Sequence, residues 1–190
     1  MIALSRHSMK HIHIVDNFYK DPYQVRCFAK ELDYSLKYPT PDWRAEGVNN
    51  LWPGLASTEN LKENYLDIQV SKILQKPVRA GNNSGFFRLS KHNDLSDVFA
   101  HTDGIPDGSS KKSYQGIVYL SLPEHCLGKT GTVFLKHQKT ELIYLQSSQD
   151  YWKVVEDYKQ KELWEVYFKV ENIFNRFIIF ENMLNIVLPM

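Results

Sequence analysis

The sequence predicts a mainly β protein with flanking helices (α+β), a sandwich or barrel preceded by a helical N-terminal region. Three observations predict it. Two stretches near the N-terminus, 22–33 and 60–75, carry apolar residues at helical spacing. From residue 84 the chain breaks into short runs rich in Val, Ile, Phe and Tyr, separated by Gly, Pro, Asn and Ser. The 190 residues contain no internal repeat and no linker, which fits a single domain over 1–190 with a helical cap over roughly 20–76.

In chain order, "HIHIVDNFY" (11–19) partly alternates, with Ile12 and Ile14 on one face, and reads as a strand. Asp21-Pro22 is a helix start, a capping acid before a proline at the first helical position. Val25, Phe28, Ala29 and Leu32 then continue an amphipathic helix over 22–33. Residues 37–54, "KYPTPDWRAEGVNNLWPG", are punctuated by Pro and Gly and carry Trp43 and Trp52. They read as a long loop that either lids a pocket or packs over the helices. A second helix over 60–75 presents Leu66, Val70, Ile73 and Leu74, and Pro77 stops it. "SGFFRLS", "DVFAHTD", "QGIVYLSL", "GTVFLKH" and "TELIYL" follow as strands. A helix is predicted over 148–160, and "LWEVYFKV" and "NRFIIFE" are the closing strands.

Composition excludes several classes. Lys and Arg number 23 against 22 Asp and Glu, so no broad field attracts nucleic acid or anionic lipid. No run of about 18 apolar residues is available to span a membrane. Cys27 and Cys126 are far apart and form no paired motif, so a disulfide framework is not expected and a reducing, cytoplasmic setting is.

The chemistry-bearing pattern is His101-Thr102-Asp103 at the end of an apolar run. In a strand, residues two apart share a face, so an imidazole and a carboxylate can aim at one point. Non-haem Fe(II) oxygenases use such a pair with a distal second histidine. Spacing alone leaves a second reading open, a corner in which Asp103 caps a turn. A second copy, His92-Asn93-Asp94, follows Ser90-Lys91 and reads as loop.

The residues after this pair carry a resemblance. "GIVYLSLPEHCLGKTGTVFLKH" is similar to the stretch that follows the metal-binding pair in Fe(II)/2-oxoglutarate dioxygenases of the prolyl-hydroxylase-like kind. Tyr119-Leu120, Gly128, Gly131-Thr132 and Phe134 stand at the matching places. "NRFIIFENML" (175–184) resembles the strand leading to that family's distal histidine. "VDNFYKDPYQVRCFA" (15–29) resembles the opening strand and helix of small phage and bacterial members. The resemblance covers most of the chain. It implies a double-stranded β-helix (jelly roll) with Fe(II) and 2-oxoglutarate between its sheets. It assigns His101 and Asp103 as metal ligands and Tyr119 as a contact to the co-substrate carboxylate. The implied activity is hydroxylation of a peptide or small-molecule substrate.

The chain departs from the family where the third ligand is due. Alignment puts Asn185 in place of the distal histidine, and the family's later arginine or lysine and its strand would fall beyond Met190. A neutral amide is a weaker donor to Fe(II) than imidazole. The departure leaves three readings: a degenerate relative, a truncated or frame-shifted product in which "NIVLPM" is an aberrant tail, or a site completed by another histidine, His137 first and His92 next. Arg176 is a candidate substitute for the missing anchor, against a structural ion pair. Arg88, in "FFRLS", is a candidate for binding an acidic substrate, against a surface salt bridge. His11 and His13 form another spaced pair, expected on an exposed edge strand. "CLGKTG" lacks the glycine a phosphate loop needs five places before Gly128, where Pro123 stands. The alternative to an enzyme is a catalytically inactive jelly-roll binding or interaction module. A sandwich without its last strand exposes an edge, and homodimerisation through it is the corollary.

Overall fold

A computed structural model of the chain describes residues 6–9, 11–35, 54–61, 64–81, 84–90, 99–102, 113–126, 130–181 and 185–188. Its strands are β1 (Arg6–Met9), β2 (Ile12–Val15), β3 (Leu55–Asn60), β4 (Phe86–Leu89), β5 (Tyr114–Val118), β6 (Gly131–His137), β7 (Trp164–Glu171), β8 (Phe177–Glu181) and β9 (Asn185–Leu188). Its helices are α1 (Pro22–Glu31), α2 (Asn64–Leu74) and α3 (Ser148–Val154). The fold is mixed α+β with antiparallel sheets. A four-stranded sheet runs β1-β2-β8-β5, a three-stranded sheet runs β7-β6-β9, and β3 and β4 form a separate ribbon.

Alternation along the strands builds the layers. Ile12, Ile14, Ile178 and Phe180 leave one face of the first sheet and meet Phe134 and Val170 from the second. The Phe134 and Phe180 rings stand edge to face, 5.0 Å apart. The intervening residues point outward. Val15, Phe177 and Ile179 pack with Phe18 under Leu66, Val70, Ile73 and Leu74 of α2. From the second sheet, Val133, Leu135 and Trp164 pack under Tyr151 and Val154 of α3, together with Tyr158. Strand β8 is thus covered on both faces, which is why "FIIF" is apolar without alternation.

The helix signals act as their chemistry dictates. The Asp21 carboxylate accepts the Gln24 N–H at 3.0 Å, with Pro22 opening α1. The α2 stripe lands on the first sheet as expected, and the Ser71 hydroxyl accepts the Val78 N–H at 2.9 Å just past Pro77. Ser147 caps α3 by accepting the Asp150 N–H at 3.2 Å.

Several elements differ from the sequence expectation. The cap region also contributes β3, whose "LASTEN" lacks an apolar alternation. The helix expected over 148–160 is α3 followed by a 3-10 turn at Val155–Asp157. α3 covers the second sheet and α2 the first, while α1, which buries Ala29 alone, sets Phe28 edge-on to Phe87 of β4. "TELIYL" keeps only an isolated bridge at Tyr144, and the described part of "DVFAHTD", residues 99–102, has one at His101. Asn185–Leu188, which one of the three readings treats as an aberrant tail, is strand β9, pairing with β6 from Phe134↔Asn185 to Gly131↔Leu188. Strand β2 lies between β1 and β8, so His13 is not on the edge strand expected of it. Among the described residues no helix is long and apolar enough to cross a membrane.

Candidate functional site

Tyr119 follows β5 and sits in the layer between the two sheets, 6% exposed. Its hydroxyl donates to the Thr132 Oγ1 of β6 at 2.7 Å, and Thr132 is itself fully buried. Two hydroxyls here satisfy each other in an apolar layer, where an unmatched one costs about 1–3 kcal/mol. Burial pushes the Tyr119 phenol up to about 12, with the Thr132 bond and the charge of Arg176 acting in the opposite sense. Both residues belong to the segment that carries the family resemblance, and the fold brings them together across the sheets.

Backbone bonds fix this tyrosine. The Tyr119 N–H donates to the Arg176 carbonyl at 2.9 Å, and the Asn175 N–H donates to the Tyr119 carbonyl at 2.8 Å. Asn175 is buried in the left-handed region, with φ 63°, a conformation asparagine tolerates better than most residues. Its side chain accepts the Tyr19 N–H at 2.8 Å and donates to the Tyr19 carbonyl at 2.9 Å. It therefore ties the segment after β2 to the turn before β8. Sequence reading passed over Asn175; its place directly ahead of an apolar strand was the available signal.

His101 is buried, 6% exposed, in an isolated bridge after Phe99 and Ala100, whose N–H groups both reach the Tyr158 carbonyl. Its intended partner Asp103 lies outside the described residues, as do His92, Asp94, Trp43 and Trp52. Asn185 begins β9 beside Phe134 of β6. Among the described residues no group of three or more His, Cys, Asp or Glu side chains gathers to hold a metal ion.

The residues offered as substitutes are engaged elsewhere. His137 is fully buried on the opposite face of β6 from Thr132 and Phe134. Its Nδ1 lies 2.8 Å from Thr140 Oγ1 and its Nε2 lies 3.1 Å from Asp157 Oδ2. Its ring centroid is 4.7 Å from that of Trp164. Asp157 also receives Lys139 at 3.1 Å and Gln160 at 2.7 Å. By the parity of the strand His137, three residues past Phe134, turns away from the inner layer that holds Tyr119 and Thr132. Arg176 forks onto Asp16, Nε to Oδ1 at 2.6 Å and NH2 to Oδ2 at 3.1 Å. Those bonds raise the guanidinium above its ordinary value. This is the structural ion pair, not a free carboxylate anchor.

Arg88 is exposed on the β3–β4 ribbon opposite Ala56, in a different sheet from Tyr119 and Thr132. The His11 ring stacks on Tyr144 at 4.1 Å, with its Nδ1 4.0 Å from Glu181. Burial, then the charge of Lys76, lowers His13 from its ordinary value. His125, beside Cys126, faces Arg26 at 3.2 Å, and the Cys126 thiol donates to the Leu122 carbonyl at 3.5 Å. Neither arrangement activates a nucleophile.

Comparison of the chain with protein-family models, curated proteins and solved structures returned no match.

Proposed function

We propose that the chain is a jelly-roll protein of the Fe(II)/2-oxoglutarate dioxygenase type that binds a metal and a dicarboxylate between its sheets. The observation carrying this reading is the path of the chain. β5 lies in the first sheet, β6 and β7 in the second, β8 in the first again and β9 in the second. That exchange between two facing sheets is the pattern a jelly roll requires, and it sets Tyr119 and Thr132 in the inner layer with Asn185 entering beside β6.

The donor set fits the iron only in part. His101 supplies a buried imidazole and Tyr119 a buried hydroxyl, while Asp103 enters on the resemblance alone. The second imidazole and the cationic anchor are not supplied by His137 or Arg176, both of which are engaged. No reaction step is therefore derived through the metal. These same commitments favour a second reading, an inactive binding module on the same scaffold.

Anaerobic calorimetry with Fe(II) and 2-oxoglutarate tests the proposal. Wild type is expected to bind weakly and His101→Ala not at all. Asn185→His is expected to tighten binding by about 10-fold or more, since ligand-sphere changes act on that scale. Equal heats from wild type and His101→Ala would sink the metal reading, and heat from neither metal nor 2-oxoglutarate would leave the module.

A further inference from the structure

The strand order leaves β5 at one end of the first sheet and β7 at one end of the second. These two edges are built differently. β7 carries Glu165, Lys169 and Glu171, and its register against β6 slips between Phe134 and Leu135, so Tyr167 is an extra residue. Charge and a bulge are two devices that blunt an edge. β5 reads Tyr-Gln-Gly-Ile-Val and has neither.

Backbone parity says which β5 groups have no strand partner among the described residues. Tyr119 exchanges bonds with the β8 side, its N–H to Arg176 and its carbonyl from Asn175. By alternation Gln115 and Ile117 also bond to β8, opposite Phe180 and Ile178. The N–H and C=O groups of Tyr114, Gly116 and Val118 therefore point away from the sheet. Gly116 is exposed although its face is closed, since an added Cβ would lie 2.8 Å from the Phe177 ring. The exposure is at the strand's edge.

We propose that this edge pairs antiparallel with the β5 edge of a second copy, with the two-fold axis at Gly116. Centring on Gly116 pairs outward residues with outward residues, so donors meet acceptors in both copies. Centring on Gly116 sets Tyr114 of each copy against Val118 of the other. It sets Gln115 against Ile117, opposes no like charges, and leaves room at the axis for close approach. Aromatic against β-branched is a favourable cross-strand pair. The same operation on β1 would bring a strand carrying Arg6 and His7 onto itself. The pairing joins the two four-stranded sheets into one. It stands whether or not the inner layer binds a metal. A single short strand gives a small interface, so the dimer is concentration-dependent.

Sedimentation across a concentration series, with amide hydrogen exchange on the same full chain, tests this. The expected result is a monomer–dimer equilibrium in which exchange slows with concentration at Tyr114, Gly116 and Val118. Gln115 and Ile117 should stay protected throughout. Val118→Pro removes an outward N–H, a position where edge strands accept proline, and should be monomeric with unchanged circular dichroism. The exchange pattern of wild type needs no variant to fold. A monomer at every concentration would overturn the proposal, as would a dimer whose added protection falls on β7 or one that survives Val118→Pro.

Discussion

The two faces of β6 hold two different kinds of buried polar group. Toward the first sheet, Thr132 meets the Tyr119 hydroxyl in a layer whose buried neighbours are Ile, Val and Phe, with Tyr144 packed against it. Toward α3, His137 joins Thr140, Asp157 and, through Asp157, Lys139 and Gln160. The inner pair is neutral, small and closed on itself. The outer network carries charge and reaches solvent through Lys139. The neutral pair and the charged network are thus set on opposite sides of one strand by parity alone. His137 cannot serve the layer that Tyr119 faces, however well its spacing after the glycine motif suits a ligand.

Breaking the outer network should have the largest effect. His137→Ala removes the buried partner of Asp157 and leaves a void against Trp164. A loss of about 3 kcal/mol in urea unfolding is expected, with affinity for 2-oxoglutarate unchanged in the folded protein. A loss under about 1 kcal/mol would mean the network holds little.

The inner pair is probed next by pH. The Tyr119 phenol is raised to about 12 in the folded chain, from about 10 when unfolded. Its contribution is fully present below pH 10 and lost as pH rises through 12. Stability should therefore fall by about 2–3 kcal/mol more in wild type than in Tyr119→Phe over that window. Parallel pH profiles for the two proteins would contradict the burial of this hydroxyl.

Thr132→Val leaves the tyrosine hydroxyl without its acceptor, an expected loss of about 1–2 kcal/mol. Adding Tyr119→Phe should recover much of it, because both polar groups are then gone. A double-mutant cycle with no coupling would separate the two hydroxyls energetically.

How much of this was legible follows from which signals are local. The α1 cap at Asp21-Pro22, the α2 stripe and the apolar runs of β5 to β8 all lie within a few residues, and each forms the expected kind of element. β3 was missed because "LASTEN" has no periodicity, and it forms by pairing with β4 about thirty residues on. β9 was missed because "NIVL" is short, and only its place beside β6 makes it a strand. In the site, Tyr119 and Thr132 stood in one recognisable segment. The fate of His137 turns on Asp157, twenty residues away on a 3-10 turn, and that of Arg176 on Asp16 at the other end of the chain. Spacing reports neither.

The smallest effect is expected at the periphery, away from both faces of β6. Asp21→Ala should cost about 1 kcal/mol through the lost cap on α1, read by thermal unfolding, and should leave ligand binding untouched. A change in ligand binding there would show that α1 reaches the inner layer.

The division between the two faces is tested most directly by the weak visible metal-to-ligand band of the anaerobic Fe(II)–2-oxoglutarate complex. It should be recorded for wild type, His101→Ala and His137→Ala. The account predicts a band in wild type, its retention in His137→Ala and its disappearance in His101→Ala. A band that survives loss of His101 and vanishes with His137 would put the metal on the outer face and contradict it.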